Sequence, residues 1–301
     1  MMTIRQMQYF DALGRTLHFG QAAEIMNISQ PAISTQIALM EQELGCVLVE
    51  RTRGAIILTD AGKKLLPKIR RILREVKTAQ EDLGTHTGLL SGSLRVGIIP
   101  TVAPYILPQF IPALREQYPN LELNVRETVT ETLTRDVISG ELDAIIAAKP
   151  IKNNALHEST LFEDRFFMAV STNDNDVLVS PMSQDQVSLD RLLLLEDGHC
   201  LRDQALAVCA ARGEKRLVNF GATSMPTLLQ MVAHNMGQTL LPEIAIQAET
   251  SRNPAIRIVP FGTPEPSRSI ALYWRKAWDR QADMAAFGDV VRKVMGNVVS
   301  L

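Results

Sequence analysis

FGQAAEIMNISQPAISTQIALMEQELG at residues 19–45, continued by LVERTRGAIILTDAGKKLL at residues 48–66, decides how this chain is read. The first stretch holds two helical patterns parted by Asn27-Ile28-Ser29. Ala22 and Ala23 are small enough to let another helix approach closely. The turn that follows offers Ser29 as a helix N-cap, with Pro31 in the first turn. In the second helix Ile33, Ile37, Met40 and Leu44 recur at a spacing that faces them inward, which leaves Gln30, Ser34, Thr35 and Ala38 outside. Two short helices joined in this way are a helix-turn-helix, whose second helix enters the major groove of double-stranded DNA. Residues 47–51 and 55–58 then read as two strands about Thr52-Arg53-Gly54, a wing with Arg51 and Arg53 available to phosphate. A helical bundle with an incidental hairpin is the competing account, but cap, turn, small residues and wing all agree on the first.

Working outward, residues 4–16 are expected to form a helix with Ile4, Met7, Phe10 and Leu13 on its apolar stripe. A longer helix starts at Thr59-Asp60-Ala61-Gly62 and runs to about residue 83, with Leu65, Leu66, Ile69, Ile72, Leu73 and Val76 on one face and Lys68, Arg70, Arg71 and Arg74 on the other. Such a stripe between two domains wants a partner, and a second copy of the chain is the simplest one. Residues 85–93 are polar, with Gly84, Gly88 and Gly92 in or beside them, and read as a hinge. Residues 1–80 hold 11 Lys/Arg against 7 Asp/Glu, while the remainder holds 20 against 26. A basic module on an acidic body fits a nucleic-acid-binding unit joined to something else.

Beyond the hinge, strands at 94–99, 121–126 and 142–147 alternate with helices at 104–118 and 130–139, the pattern of βαβ units and a parallel sheet with ligands at the carboxyl ends of its strands. Further strands are expected at 166–170, 192–195, 238–241 and 268–274, with helices at 224–235 and 279–295. With 301 residues, 46% hydrophobic and 21% charged, the chain can bury two or three cores, and wholesale disorder is excluded. The uncharged run 97–114 is broken by Pro100, Pro104, Pro108 and Pro112, so no membrane span is expected there. Three cysteines without a secretory signal point to a reducing cytoplasm, where a disulfide is transient and regulatory.

Two of those cysteines lie in LLLLEDGHCLRDQALAVCAARG, residues 192–213. An apolar strand ends in Glu196-Asp197-Gly198, and Cys200 opens a helix. A helix N-terminus favours an anion, so a thiol there, beside His199 and Arg202, suits a reactive thiolate. Cys209 shares an inward face with Leu206, Ala210 and Gly213. The plain alternative for both is a small buried hydrophobe; it is the stronger account for Cys209 and an even one for Cys200. Thr101 and Thr130 sit at strand-to-helix turns where a cleft would open, with N-capping as their ordinary alternative. Cys46, among apolar neighbours, is expected in the core, and His86, His157 and His234 at the surface or in packing. No metal-ligand spacing, nucleophile elbow, phosphate loop or dinucleotide fingerprint occurs, so neither a metal, a cofactor nor turnover as an enzyme is expected.

The helix-turn-helix and the wing-to-helix segment together resemble the LysR-type transcriptional regulators, and the likeness spans essentially the whole chain. Residues 195–209, LEDGHCLRDQALAVC, and 97–108, GIIPTVAPYILP, resemble that family's hydrogen-peroxide-sensing branch in particular. The resemblance implies an N-terminal winged helix-turn-helix (1–59), a linker dimerisation helix (60–84), a hinge (85–93) and a C-terminal α/β regulatory domain (94–301). The last would comprise two subdomains similar to periplasmic binding proteins, 94–165 with 268–301 and 166–267, the chain crossing between them near 163–165 and 266–268. It implies DNA contacts at Gln30, Pro31, Ser34, Gln36 and Arg53, although Ala38 and Leu39 stand where many relatives carry basic residues. It implies Cys200 as peroxidatic and Cys209 as resolving thiol, with Thr101, Thr130, His199 and Arg268 around the peroxide. Its other implications are a homotetramer built as a dimer of dimers, an activator of oxidative-stress genes, and RNA polymerase as a partner. If residues 201–212 are helical, the two cysteines stand about 13 Å apart along the axis, beyond the roughly 7 Å a disulfide spans. Oxidation is therefore expected to rearrange 196–213, shift contacts between copies and re-space the DNA-binding modules. A regulator answering a metabolite in the interdomain cleft and a thiol peroxidase are the rival readings.

Overall fold

The computed structural model describes residues 1–52, 55–82, 88–174, 180–187, 189–209, 221–251 and 253–296. The chain forms two compact units, one of Met1–Thr87 with Ser139–Glu141, the other of Gly88–Ile138 with Leu142–Leu301.

In the first unit, α1 (Ile4–Thr16), α2 (Phe19–Ile25) and α3 (Gln30–Leu44) precede the hairpin of β1 (Val49–Thr52) and β2 (Ala55–Leu58), and α4 (Asp60–Asp82) follows. Each start has a chemical reason. Thr3 and Gln6 make a capping box for α1, and the Ser29 hydroxyl accepts the Ala32 amide at the head of α3. The Thr59 hydroxyl accepts the Gly62 amide at 3.1 Å and donates to the Val47 carbonyl at 2.7 Å, so α4 begins pinned beside the hairpin. Glu41 binds the hairpin from the other side, its Oε1 accepting the amides of Leu48 and Val49 at 2.7 and 3.1 Å. Phe10, Leu13, Ile33, Ile37, Met40 and Ile69 are sealed in one core. Ile4 and Leu44, expected to face inward, are 46% and 40% exposed because each lies in the end turn of its helix, past the packed neighbours. Cys46 likewise is exposed rather than in the core: the left-handed cap at Gly45 (φ +66°) turns the chain off the helix, and its neighbour Val47 is exposed with it. On α4, Leu66 and Ile69 are buried, whereas Ile72 is 38% exposed.

In the second unit β3 (Gly92–Ile98), α5 (Ala103–Gln117), β4 (Leu121–Glu127), α6 (Thr130–Ser139) and β5 (Ala144–Ala148) alternate as expected, and the three strands pair in parallel. The rest of the sheet departs from the expected parallel pattern. β6 (Leu156–Ser171) is a single 16-residue strand. Then come β7 (Leu194–Leu195), α7 (Cys200–Cys209), β8 (Gly221–Ala222), α8 (Met225–Ala233), β9 (Thr239–Pro242), α9 (Glu243–Thr250), β10 (Ile256–Pro260), β11 (Ser267–Arg275) and α10 (Gln281–Gly296). The first part of β6 pairs antiparallel with β11, and its last residues pair antiparallel with β9 and β10. The sheet thus runs β4-β3-β5-β11-β6-β10, with β9 also on β6. β6 and β11 are the strands on which one lobe of the unit becomes the other. Phe110 of α5 meets Phe287 of α10 edge to face at 5.6 Å within the core of the unit.

A Cβ at Gly62 would lie 2.2 Å from the Leu48 carbonyl oxygen, backbone that cannot swing aside. Gly62→Ala is expected to cost about 1–3 kcal/mol, read as a lower denaturation midpoint of the N-terminal unit. An unchanged midpoint would mean that the close approach of α4 to the hairpin contributes no constraint.

Candidate functional site

The turn 196–199 delivers Cys200 to the first position of α7. Gly198 takes φ +94°, which favours glycine, and the Arg202 amide closes on the His199 carbonyl at 3.0 Å. Cys200 is half-buried and is the first residue of α7. Across from it stand the loop after β3 and the first turn of α6. Thr101, Thr130, His199 and Cys200 all line one niche, walled on the apolar side by Ile99 and Val129. The niche is closed as it stands, with no room for a water-sized sphere, so a ligand enters only as its walls part.

The hydroxyls in this niche are not used as helix caps. Thr130 Oγ1 is buried without a hydrogen-bond partner among the described residues, a costly state for a polar atom unless something is to bind it. Thr101 is 2% exposed, and its Oγ1 accepts from Arg268 Nη1 at 2.9 Å. A hydroxyl carries one donor and two lone pairs, so the Thr101 O–H is left to donate. Arg268 is not itself at the wall of the niche. It sits behind Thr101, fully buried, with Nη2 donating to the Thr101 carbonyl at 3.1 Å and Nε to Asp164 Oδ2 at 2.9 Å. Burial pushes the Asp164 carboxyl up, while Arg268 and the Ile244 amide pull it down.

Charge around Cys200 differs from the expectation. Burial holds the His199 imidazole below its ordinary value, with Glu196 pulling the other way, so the ring is neutral near pH 7 and offers hydrogen bonding rather than a positive charge. Arg202 is engaged elsewhere, Nε with Asp197 at 2.8 Å and Nη1 with the Leu195 carbonyl at 3.1 Å. One turn along α7, Gln204 Oε1 is a second buried oxygen without a partner among the described residues; the sequence marks it with nothing beyond its i+4 spacing from Cys200. Both cysteines belong to α7, and nine residues of helical rise separate them by about 13.5 Å. Beside the niche, and sharing Thr101 and His199 with it, lies a cleft of about 370 Å³ crossed by a hydrogen bond from the Tyr105 hydroxyl to Glu249 at 2.9 Å. Among the described residues no cluster of three or more His, Cys, Asp or Glu could hold a metal ion, and no helix is long and apolar enough to cross a membrane.

On α3, Gln30, Pro31, Thr35, Ala38 and Leu39 are exposed, and Ser34 and Gln36 half-buried. Arg53 lies outside the described residues.

Gly198→Ala is expected to cost about 1–3 kcal/mol from backbone strain alone, since the nearest atom to its Cβ would be Val129 Cγ1 at 3.9 Å. A denaturation midpoint equal to the parent's would dismiss the strain. Since the His199 pKa is lowered on folding, its contribution to stability is present above the ordinary value of about 6.5 and lost as pH falls below it. Replacing it by Gln should flatten the decline in urea midpoint between about pH 7.5 and about pH 5.5; parallel declines would show that its burial is not felt.

Comparison with known proteins agrees along the whole length. Residues 4–63 match the model of the bacterial regulatory helix-turn-helix protein, lysR family, and residues 87–296 the LysR substrate binding domain. A hydrogen peroxide-inducible genes activator of Haemophilus influenzae is 39% identical over 91% of this chain and 91% of its own. Full-length OxyR of Pseudomonas aeruginosa with a cysteine-to-aspartate substitution superposes with a TM-score of 0.77 at 30% identity, covering 97% of this chain and 98% of that one. A cysteine-to-serine OxyR of Corynebacterium glutamicum with hydrogen peroxide bound gives 0.66 at 31% identity, covering 100% and 96%. The chain belongs to the LysR family of bacterial helix-turn-helix transcriptional regulators.

Proposed function

We propose that this protein is a DNA-binding transcriptional activator that senses hydrogen peroxide through Cys200. The observation that carries the reading is the niche in which Cys200, at a helix N-terminus, faces a buried Thr130 hydroxyl without a partner and a Thr101 hydroxyl free to donate. A sulfur anion there attacks one peroxide oxygen and the O–O bond breaks. The attacked oxygen stays on sulfur as sulfenic acid, and the other leaves as hydroxide, which solvent protonates. Thr101, Thr130 and neutral His199 hold the peroxide and meet the charge that develops on the leaving oxygen.

Cys209 then resolves the sulfenic acid: its thiol sulfur bonds to that of Cys200, and water leaves. The separation along α7 forbids this in the intact helix, so α7 must open first. Its rearrangement is transmitted to contacts between copies in a dimer of dimers and re-spaces the winged modules on DNA. DNA is met by Gln30, Pro31, Ser34 and Gln36 of α3 and by Arg53 of the wing. RNA polymerase is the downstream partner. The domain limits follow the same reading: 1–59, 60–84, 85–93 and 94–301. Oxidation is stoichiometric, with no steady turnover of peroxide. The cleft of about 370 Å³ supports a second reading, a regulator that answers a small metabolite.

Non-reducing peptide mapping of peroxide-treated protein should yield a Cys200–Cys209 linkage, and the DNase footprint should change on oxidation. Cys200→Ser should abolish both. A Cys200→Ser protein that still shifts its footprint with an inducer would favour the metabolite reading, and two thiols still open to alkylation after peroxide would sink the disulfide.

A further inference from the structure

Asp164 lies outside the niche and is joined to it through Arg268 and Thr101. It is 0% exposed, sits on β6 directly across from Arg268 on β11, and is held on both oxygens. Oδ2 accepts Arg268 Nε at 2.9 Å and lies 2.8 Å from Nη2, while Oδ1 accepts the Ile244 amide at 3.2 Å. With its Nε side fixed there, the planar guanidinium turns its remaining edge onto Thr101, one nitrogen on the hydroxyl and one on the carbonyl. A threonine hydroxyl rotates to suit its partners. Here an incoming N–H occupies one lone pair, and the hydroxyl proton is left for the niche that Thr101 lines.

We propose that Asp164 is a positioning residue for the reaction of Cys200 with peroxide: through Arg268 it holds the Thr101 hydroxyl as a hydrogen-bond donor to the leaving oxygen. This rests on peroxide being the oxidant of Cys200. The step is the one already written, sulfur to sulfenic acid and peroxide to hydroxide, with Thr101 stabilising the hydroxide as it forms and losing no proton of its own. Without the carboxylate, the guanidinium is a buried cation lacking its counter-charge, free to leave Thr101 for other acceptors. The Thr101 hydroxyl then has no fixed sense.

The test uses the full-length protein in a Cys209→Ser background, so that only the first step is read. Two rates are compared at Cys200: sulfenic acid formation with hydrogen peroxide, trapped by dimedone, and alkylation by iodoacetamide. Alkylation needs a reachable thiolate but no donor to a leaving oxygen, since iodide departs unaided. Asp164→Asn, which keeps the shape and removes the charge, should slow the peroxide reaction about 10-fold or more and leave alkylation within about twofold. Thr101→Val should do the same, Thr101→Ser should restore the rate, and the Asp164→Asn/Thr101→Val pair should be no slower than Thr101→Val alone. Arg268→Lys, which keeps the charge facing Asp164 but not the fork, should match Asp164→Asn and serves if that variant does not fold. Equal losses in both rates would make Asp164 merely structural and overturn the proposal. So would a slow Thr101→Val beside an unimpaired Asp164→Asn; both outcomes leave the sensing role of Cys200 intact. If the parent's Cys200 alkylates yet yields no sulfenic acid with peroxide, the peroxide reading itself fails.

Discussion

The pairing of Arg268 with Asp164 is the contact on which the regulatory unit turns. Taking two charges wholly out of water costs several kcal/mol for each, and here the return is a set of bonds that reaches in three directions. The pair joins β6 to β11 where the sheet passes from one lobe to the other, fastens the head of α9 through the Ile244 amide, and grips the loop after β3 at Thr101. A hydrophobic pair could hold two strands as well. It could not also orient a hydroxyl. The pair that bridges the two strands thus also grips the loop that lines the niche.

Opposite this rigid corner stands an element held with a light grip. α7 has ten residues, shorter than the roughly 12–15 needed for a helix to persist unaided. Among its described side chains only Leu201 and Ala205 are fully buried. Burying a leucine contributes about 1.5–3 kcal/mol, and the ion pair of Arg202 with the exposed Asp197 adds little in water. Under the proposed mechanism, a single covalent bond unwinds this segment, while the DNA-binding unit, with its capped helices and pinned hairpin, keeps its shape. In that mechanism the chemistry and the unwinding meet at Cys200, the residue that both lines the niche and opens the helix.

Much of this was legible in residues. Ser29, Pro31 and the inward spacing of Ile33, Ile37 and Met40 state the helix-turn-helix almost completely, since caps, turns and helical periodicity are local. The turn at Gly198 and the helix opening at Cys200 were legible for the same reason. What escaped depends on partners far along the chain. The first part of β6, with Glu158, Glu163, Asp164 and Arg165, carries no strand pattern of its own; β11 pairs with it from about a hundred residues away, and that pairing makes the sheet mixed rather than parallel. β10 and α9 are short and lean on β6 for their identity. Arg202 reads as a neighbour for the thiol but faces Asp197, and Cys46 reads as buried from its apolar neighbours, which in the fold belong to a helix end. Asp164, the residue behind the niche, had no local signature at all.

Placing both cysteines on α7 also gives the proposed sensor a clock. Between the first oxidation and the disulfide lies a wait for the helix to open, and during it the sulfenic acid stays exposed to a second peroxide, which would carry it to an irreversible sulfinic acid. Opening proceeds at a rate the fold sets, whereas the second oxidation rises with dose. The same helix therefore fixes an upper limit to the signal that can be recorded faithfully: slow accumulation is written into a reversible bond, and a sudden flood is lost as damage.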